Sequence, residues 1–404
     1  MKIISKEALS YAFYDFANSS YTLVILTFTY AIYFKTVVAS GIAESDFLWG
    51  IATAIPVVLV AVVSPFLGAL ADIRHAKRFF LIASTLVTTV FTALLATVEA
   101  GEILKGMLIV IIASIFYHFA IFFYDAFIVD VTTKKTAGRV SGFSWGLGYI
   151  GGLVALLIIA PFIKGGVETS TYSTSFLITA LFYTVFSLPM FFMVKQKIVN
   201  VKITMGTKTI GKNIQCVWQQ RKRYRSFFLL VLAFFFYNDA LTTLFTFVSV
   251  FATTTIGMSI QEVATLLFAS QLVAFPAAWA FGAWSDRIGQ KKVILITLFL
   301  VLCFSTIAAL ASSKTVFFSA ICLASLGVGA SQSCTRALIG NTVPRQYATE
   351  FFGFQTMASK LSAFLGPVLF GFLASTFHNQ RLGYVPVAVF LGTGMLLLMK
   401  VKEV

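Results

Sequence analysis

Charge is scarce in this sequence. Asp, Glu, Lys and Arg together make up 11% of its 404 residues, against about 25% in soluble domains, and no polar stretch is long enough for a separate water-soluble domain. Cysteine is limited to four positions, Cys216, Cys303, Cys322 and Cys334. They form no CxxC pair and three lie in apolar runs, so neither a disulfide framework nor a metal site is expected. No HExxH, no Walker loop after a strand and no cluster of His or Cys ligands occurs, which argues against an enzyme and implies no cofactor. Carboxylates number 15 against 30 Lys and Arg, leaving a formal charge of +15. The cations are spread through the chain and build no dense basic domain, so nucleic acid is not an expected partner.

What fills the chain instead is apolar. Hydrophobic residues make up 59%, roughly what twelve membrane-spanning helices of ~20 residues would use. Apolar blocks separated by short polar connections fall at about 9 to 34, 47 to 71, 79 to 98, 106 to 129, 140 to 163 and 174 to 194. After a polar interval to about Arg225, six more follow near 227 to 251, 260 to 283, 293 to 312, 316 to 338, 351 to 375 and 382 to 399. The first block follows Lys2 and Lys6 but contains Asp15 and Asn18 and lacks a small-residue cleavage site, so it reads as a first helix rather than a signal peptide. The expected class is an all-α integral membrane protein with twelve transmembrane helices in two six-helix bundles. The division falls at residues 1–195, a basic linker at 196–225, and residues 226–404.

Lys and Arg accumulate on the cytoplasmic side of membrane proteins. With both termini inside, 24 of the 30 cations fall on the cytoplasmic face and five, Lys35, Lys105, Lys164, Lys314 and Arg381, on the opposite one, while Lys360 lies inside a span. A multi-pass protein of the cell (cytoplasmic) membrane with both termini cytoplasmic is expected, and the short loops without targeting extensions fit a prokaryotic membrane better than an organelle. Nine cations and no carboxylate occupy 195–225. That interval is either a solvated positive-inside linker or an interfacial strut lying among lipid headgroups, since Ile210, Ile214, Val217 and Trp218 share one helical face with basic flanks.

Internal repeats relate the two halves. Gly68, Asp72, Lys77 and Arg78 recur at a fixed offset of 214 as Gly282, Asp286, Lys291 and Lys292. In the first and seventh helices Asp15, Asn18, Ser19 and Thr22 match Asp239, Thr242, Thr243 and Thr246, offset by 224. Both sets fall at i, i+3, i+4 and i+7, so each forms a polar stripe headed by a carboxylate, and symmetry aims both stripes at the interface between the halves. Helices five and eleven align through Gly142/Gly353, Phe143/Phe354 and Tyr149/Lys360, offset by 211.

Gly68-Ala-Leu-Ala-Asp72 with Lys77 and Arg78 and, more completely, Gly282-Ala-Trp-Ser-Asp286-Arg287-Ile-Gly289-Gln-Lys291-Lys292 resemble the loop signature of the major facilitator superfamily. The first copy departs from it, with Ile73 where an Arg is usual and His75 where a Gly is usual. Tyr14-Asp15-Phe16-Ala17-Asn18-Ser19, Tyr237-Asn238-Asp239, Gln332-Ser333-Cys334-Thr335-Arg336, Glu350-Phe351-Phe352-Gly353, Lys360 and Gly366-Pro367 resemble more narrowly the branch related to the autophagy-linked vacuolar effluxers. The eukaryotic members of that branch release amino acids from the vacuole. The resemblance covers nearly the whole chain and implies the major facilitator fold and secondary transport.

Physical chemistry gives the loop signature a task independently. Glycine at a helix end lets two helices approach closely. Asp72 and Asp286 can accept hydrogen bonds from exposed amides at a neighbouring helix N-terminus, and Lys77, Arg78, Arg287, Lys291 and Lys292 can pair with a carboxylate such as Asp130 or with lipid phosphate. Such contacts lock one face of a transporter and break when it opens. The plainer alternative is a tight turn with positive-inside cations and no gating role.

A charge in hydrocarbon costs at least ~2.5 kcal/mol unless it faces a partner or water, so buried ionisable groups mark candidate sites. At ~1.5 Å per residue, Lys360 lies about 14 Å into a ~30 Å core, Asp239 about 18 Å and Asp15 about 9 Å. Either Lys360 and Asp239 form a permanent ion pair between helices seven and eleven, or the ammonium and the carboxylates share a cavity that binds substrate or protons. His118, Phe122 and Asp125 share a face of helix four, as a proton relay or as hydrogen-bonded packing. Gln332 and Arg336 share a face of helix ten, where Arg336 lies near the cytoplasmic end and can snorkel to headgroups. Trp145, Gly148, Tyr149 and Gly152 give helix five an aromatic lining and close packing.

These readings converge on a secondary active transporter that rocks one bundle against the other around a midplane site. Asp15, Asn18, Ser19, Trp145, Tyr149, Asn238, Asp239, Gln332 and Lys360 are the expected contacts of a small-molecule substrate, and Asp15, His118, Asp125 and Asp239 the candidates for proton coupling. Amino acids or small peptides are the leading expectation, because Lys360 can take a carboxylate while Asp15 or Asp239 takes an ammonium. The alternative is proton-driven export of a lipophilic or cationic drug through a Phe-rich cavity, the chain holding 44 Phe. A receptor or scaffold is the reading outside transport, and buried polar stripes between the halves speak against it. Besides substrate, protons and membrane lipids no partner is implied, and a monomer is expected.

Overall fold

A computed structural model describes residues 5–163, 169–197 and 224–402. Among the described residues the regular structure is helical, without a strand. The helices, in chain order, are α1 (Lys6–Val38), α2 (Ser45–Ile73), α3 (Lys77–Thr97), α4 (Ile103–Val131), α5 (Ala137–Phe162), α6 (Tyr172–Met193), α7 (Arg225–Thr254), α8 (Ile260–Ile288), α9 (Gln290–Leu310), α10 (Lys314–Thr342), α11 (Arg345–Thr376) and α12 (Tyr384–Met399). The first eleven are long and apolar enough to cross a membrane, and α12 is a shorter apolar helix. The linker expected at 196–225, with its stripe from Ile210 to Trp218, lies for residues 198–223 outside the described residues.

Local chemistry sets many of the helix ends. Ser5 Oγ accepts from the Ala8 amide at 3.2 Å and Ser313 Oγ from Val316 at 3.3 Å, while Ser259 and Glu262 cap one another at the start of α8. Gly289 has φ 101°, a left-handed conformation that costs other residues dearly, and it turns the chain directly from α8 into α9. Within α1 the winding widens at Tyr21–Thr29 and Phe34–Val38, where the Thr27 and Thr29 hydroxyls donate at 2.9 Å to carbonyls five residues back. Helix α11 is interrupted between Ala348–Ser362 and Leu365–Thr376.

Large apolar side chains such as Leu104, Phe192 and Phe372 stay exposed, as befits a surface covered by hydrocarbon rather than water. Inside, tyrosines bury their rings, and several find partners for their hydroxyls. Tyr14 bonds Thr85 at 2.6 Å and Tyr183 at 3.1 Å, and Tyr21 bonds Ser114 at 2.9 Å.

Helices α1 to α6 form one bundle and α7 to α12 the other. They meet where α5 runs along α8 and α10, and where α2 runs along α11. Glycine permits the closest crossings. A Cβ on Gly68 would stand 2.5 Å from the Thr349 carbonyl oxygen and one on Gly353 2.5 Å from that of Ser64. In the other pair a Cβ on Gly282 would stand 2.5 Å from the Gly138 carbonyl oxygen and one on Gly142 2.2 Å from that of Ala278. The α2–α11 and α5–α8 crossings thus repeat one design on the two sides of the pseudo-symmetry.

Candidate transport site and gate

These crossings lie toward one end of the bundle pair, the end that carries Lys77, Arg78, Arg139, Arg287, Lys291 and Lys292 and is here called the basic face. Asp286, at the end of α8, accepts the amides of Gly138 (2.7 Å) and Arg139 (3.1 Å) at the start of α5, and also Arg139 Nε at 3.0 Å. Asp72, at the end of α2, accepts the amides of Thr349 (3.3 Å) and Glu350 (2.9 Å) in the first turn of the Ala348–Ser362 segment of α11. Each carboxylate therefore caps a helix of the opposite bundle, where unpaired amides and the positive end of the helix dipole favour it.

The cations of the loops are placed differently. Lys77 is buried within its own bundle against Asp130, with the Ala126 carbonyl at 3.2 Å and the Phe127 ring 4.4 Å from its Nζ. Arg78 donates to the Phe191 carbonyl. Lys291 donates to the Met399 and Val401 carbonyls at 2.7 Å and so fastens the end of α12. Arg287 and Lys292 are exposed.

Deeper than these helix-end contacts, Arg336 of α10 is 5% exposed and reaches into the other bundle. Its guanidinium donates to Asp15 on α1 and Asp125 on α4, both at 3.0 Å, to Ser141 Oγ on α5 at 2.9 Å and to the Ser141 carbonyl at 3.1 Å. Tyr11 and Tyr124 lie 5.4 Å from it and Trp145 5.8 Å. Asp15 also accepts from Ser144 at 2.7 Å and from Asn18 at 3.2 Å. The sequence admits snorkelling for Arg336, but α10 continues to Thr342, so the side chain starts about 9 Å inside the helix end and turns toward two carboxylates instead.

Lys360 is half-buried on α11, and its Nζ stands 3.1 Å from His118 Nδ1 on α4. With Lys360 as an ammonium, which only donates, the Nδ1 of the His118 ring is the acceptor of this contact. The Lys360–Asp239 pair does not form. Asp239 instead takes the Gly366 amide with both oxygens at 2.9 Å, capping the second segment of α11 where the helix restarts. The break at Ala363 and Phe364 frees the Gly366 amide, and Asp239 spends its carboxylate there while Lys360 turns to α4. Next to Asp239, Asn238 donates to Ser362 at 2.9 Å and accepts from Gln332 at 3.0 Å, joining α7, α10 and α11.

The remaining expected contacts divide. Ser19 spends its hydroxyl on the Asp15 carbonyl at 2.9 Å. The Trp145 and Tyr149 rings lie 6.4 Å apart, and Tyr149 presses its hydroxyl toward Gly329, where a Cβ would approach it to 2.7 Å. Trp145 Nε1 is buried without a hydrogen-bond partner among the described residues. The central position of Arg336, with Ser141 and Ser144, escapes the sequence reading, although an Arg sharing a helical face with Gln332 is the signal that marks it.

Comparison with known proteins gives a consistent picture. The family described as "Vacuole effluxer Atg22 like" matches residues 47–403. An uncharacterized MFS-type transporter, YxiO, of Bacillus subtilis (strain 168) is 28% identical, covering 100% of this chain and 96% of its own. Autophagy-related protein 22 of the yeast Vanderwaltozyma polyspora is 22% identical over 63% of this chain and 54% of its own. In three dimensions the fucose:proton symporter FucP of E. coli superposes with a TM-score of 0.77 at 14% identity, over 99% of this chain and 98% of the symporter.

Proposed function

Because the chain belongs to the Atg22-like vacuole effluxer family of major facilitator transporters, we propose that it moves small zwitterions, amino acids or short peptides, by proton-coupled alternating access around Lys360. The observation that carries the reading is the state of that ammonium. It sits half-buried where the bundles meet, its hydrogen bond goes to the His118 ring, and no carboxylate lies within ion-pair distance of it among the described residues. Arg336 close by has two. A buried cation short of an anion is suited to taking a carboxylate from a ligand. Asp15 and Asp125 keep 14% and 20% of their side chains exposed and offer negative edges to a ligand ammonium, while Asn238 and Gln332 supply neutral hydrogen bonds. Asp15, His118 and Asp125 line the same interface and are the proton-coupling groups of the proposal, whereas Asp239 is engaged in holding α11.

The test is solute flux in liposomes without ATP, under an imposed pH gradient, with labelled amino acids and dipeptides. Wild type should accumulate at least one of them, and Lys360→Ala should stay folded and lose binding of carboxylate-bearing ligands. The double variant Lys360→Ala, Asp239→Asn should not regain it. Flux of lipophilic cations with no response to any amino acid or peptide overturns the substrate class, and dependence on sodium with indifference to pH overturns the coupling ion. The proposal also places the basic face in the cytoplasm. A cysteine replacing exposed Arg287 should then react with impermeant thiol reagents from the cytoplasmic side only.

A further inference from the structure

One carboxyl group of the α2–α11 contact has no partner among the described residues. Glu350, in the first turn of the Ala348–Ser362 segment of α11, is 1% exposed, and neither of its carboxyl oxygens has a hydrogen-bond partner among the described residues. The other carboxylates of the interface are engaged: Asp15 and Asp125 by Arg336, Asp286 by Gly138 and Arg139, Asp72 by two backbone amides, Asp239 by Gly366.

The groups around Glu350 do not supply a counter-charge. From α2 it faces Asp72, whose carboxylate already takes the Glu350 amide. Lys77 at the start of α3 is bound to Asp130. From α4, Asp125 and His118 are turned to Arg336 and Lys360. From α7, the rings of Tyr224 and Phe227 pack on the neighbouring Phe351. Arg74, His75 and Arg345 are exposed. Burying an ionised carboxylate beside another one, with no donor, is far costlier than burying the neutral acid. The α2–α11 crossing is tight at this point, since a Cβ on Gly68 would stand 2.9 Å from Glu350 Cα, and it shuts the side chain off from the surface.

We propose that Glu350 is a proton-binding site of the gate, holding a proton while α2 and α11 are packed and releasing it to water at the basic face when they part. The balance is one proton taken up on closing and one released on opening, with the carboxylate solvated in between. The inference rests on the transporter reading for its meaning and adds a proton site outside the central cavity.

Spin labels replacing exposed Arg74 and Arg345 in lipid nanodiscs read the α2–α11 distance directly. For wild type, rising pH should lengthen it, with the open-to-closed ratio growing by up to about tenfold per pH unit once Glu350 titrates. Glu350→Gln keeps the shape and removes the charge, so this response should vanish and the short distance persist. Identical pH responses in wild type and Glu350→Gln would overturn the proposal. If that variant does not assemble, infrared difference spectra of wild type carrying isotope-labelled glutamate decide. Glu350 is the buried glutamate among the described residues, so a protonated glutamate band should be present in the closed state and lost on opening, and its absence overturns the proposal equally. Neither measurement uses a substrate, so a chain that moved no solute would fail the flux assay and leave this result standing.

Discussion

Arg336 and Asp15, 321 residues apart in the chain, meet at 3.0 Å across the two bundles. The pair is part of a triad with Asp125, and both carboxylates take their ion pair from a single guanidinium. Removing that guanidinium leaves them half-buried and unbalanced, which costs up to about 3 to 5 kcal/mol, the figure for a fully buried pair.

Arg336→Gln should therefore lower the melting temperature of purified protein strongly, and adding Asp15→Asn and Asp125→Asn should recover much of the loss. Arg336→Lys should rescue little, because a point charge cannot reproduce four hydrogen bonds from a planar fork. Equal melting temperatures for wild type and Arg336→Gln would show the triad to be energetically idle.

Asp286→Asn should leave the fold intact and move the equilibrium toward the form that is open at the basic face. The carboxylate serves two amides and the Arg139 side chain, and an amide in its place loses the charge and one acceptor oxygen. A change of about 1 to 3 kcal/mol, or roughly 5- to 150-fold in the ratio of states, is expected. Distance distributions between α5 and α8 labels check it.

Gly282→Ala should act in the same direction by a different cause. Its Cβ would enter the space of the Gly138 carbonyl oxygen at 2.5 Å, and backbone cannot step aside as a side chain can. Gly371→Ala is the control, since a Cβ there meets nothing within 4 Å. Labelling of cysteines at the basic face should rise in the first variant and stay at the wild-type level in the second.

Asp239→Ala leaves the Gly366 amide unsatisfied and should cost about 1 to 3 kcal/mol in stability. Asp239→Asn keeps an acceptor and should cost about 0.3 to 1 kcal/mol through the lost charge at a helix start. Lys360→Ala, by contrast, should alter ligand affinity more than melting temperature. Equal destabilisation by Asp239→Asn and Lys360→Ala would restore the ion-pair reading of these two residues.

The fold was legible because its signals are local. Apolar runs of about 20 residues set the helices, and the matched Gly68/Asp72 and Gly282/Asp286 pairs mark two loops of one design, whose carboxylates the structure finds at the starts of α11 and α5. The centre of the site was less legible, since it depends on tertiary geometry. Arg336 draws its partners from α1, α4 and α5, and hydropathy stops α10 four residues before Thr342, which makes the arginine look terminal. Depths counted along a helix carry no account of breaks elsewhere, and the restart at Leu365 offers Asp239 an amide to cap that no periodicity announces. For Glu350, an acidic residue opening a helix reads as ordinary dipole chemistry, and its isolation emerges only once α2 covers it.

The caps at the basic face carry one more consequence. The amides of Gly138, Arg139, Thr349 and Glu350 find their acceptors on the opposite bundle. When the bundles rotate apart, four backbone donors lose them at once, and the first turns of α5 and α11 must hydrate or unwind. On the rocking proposed for this chain, the cycle would include a small helix–coil transition in addition to rigid-body motion. Its cost in backbone ordering sets part of the barrier to opening. Deuterium uptake at those four amides becomes a clock for the gate, running at the rate at which the bundles part.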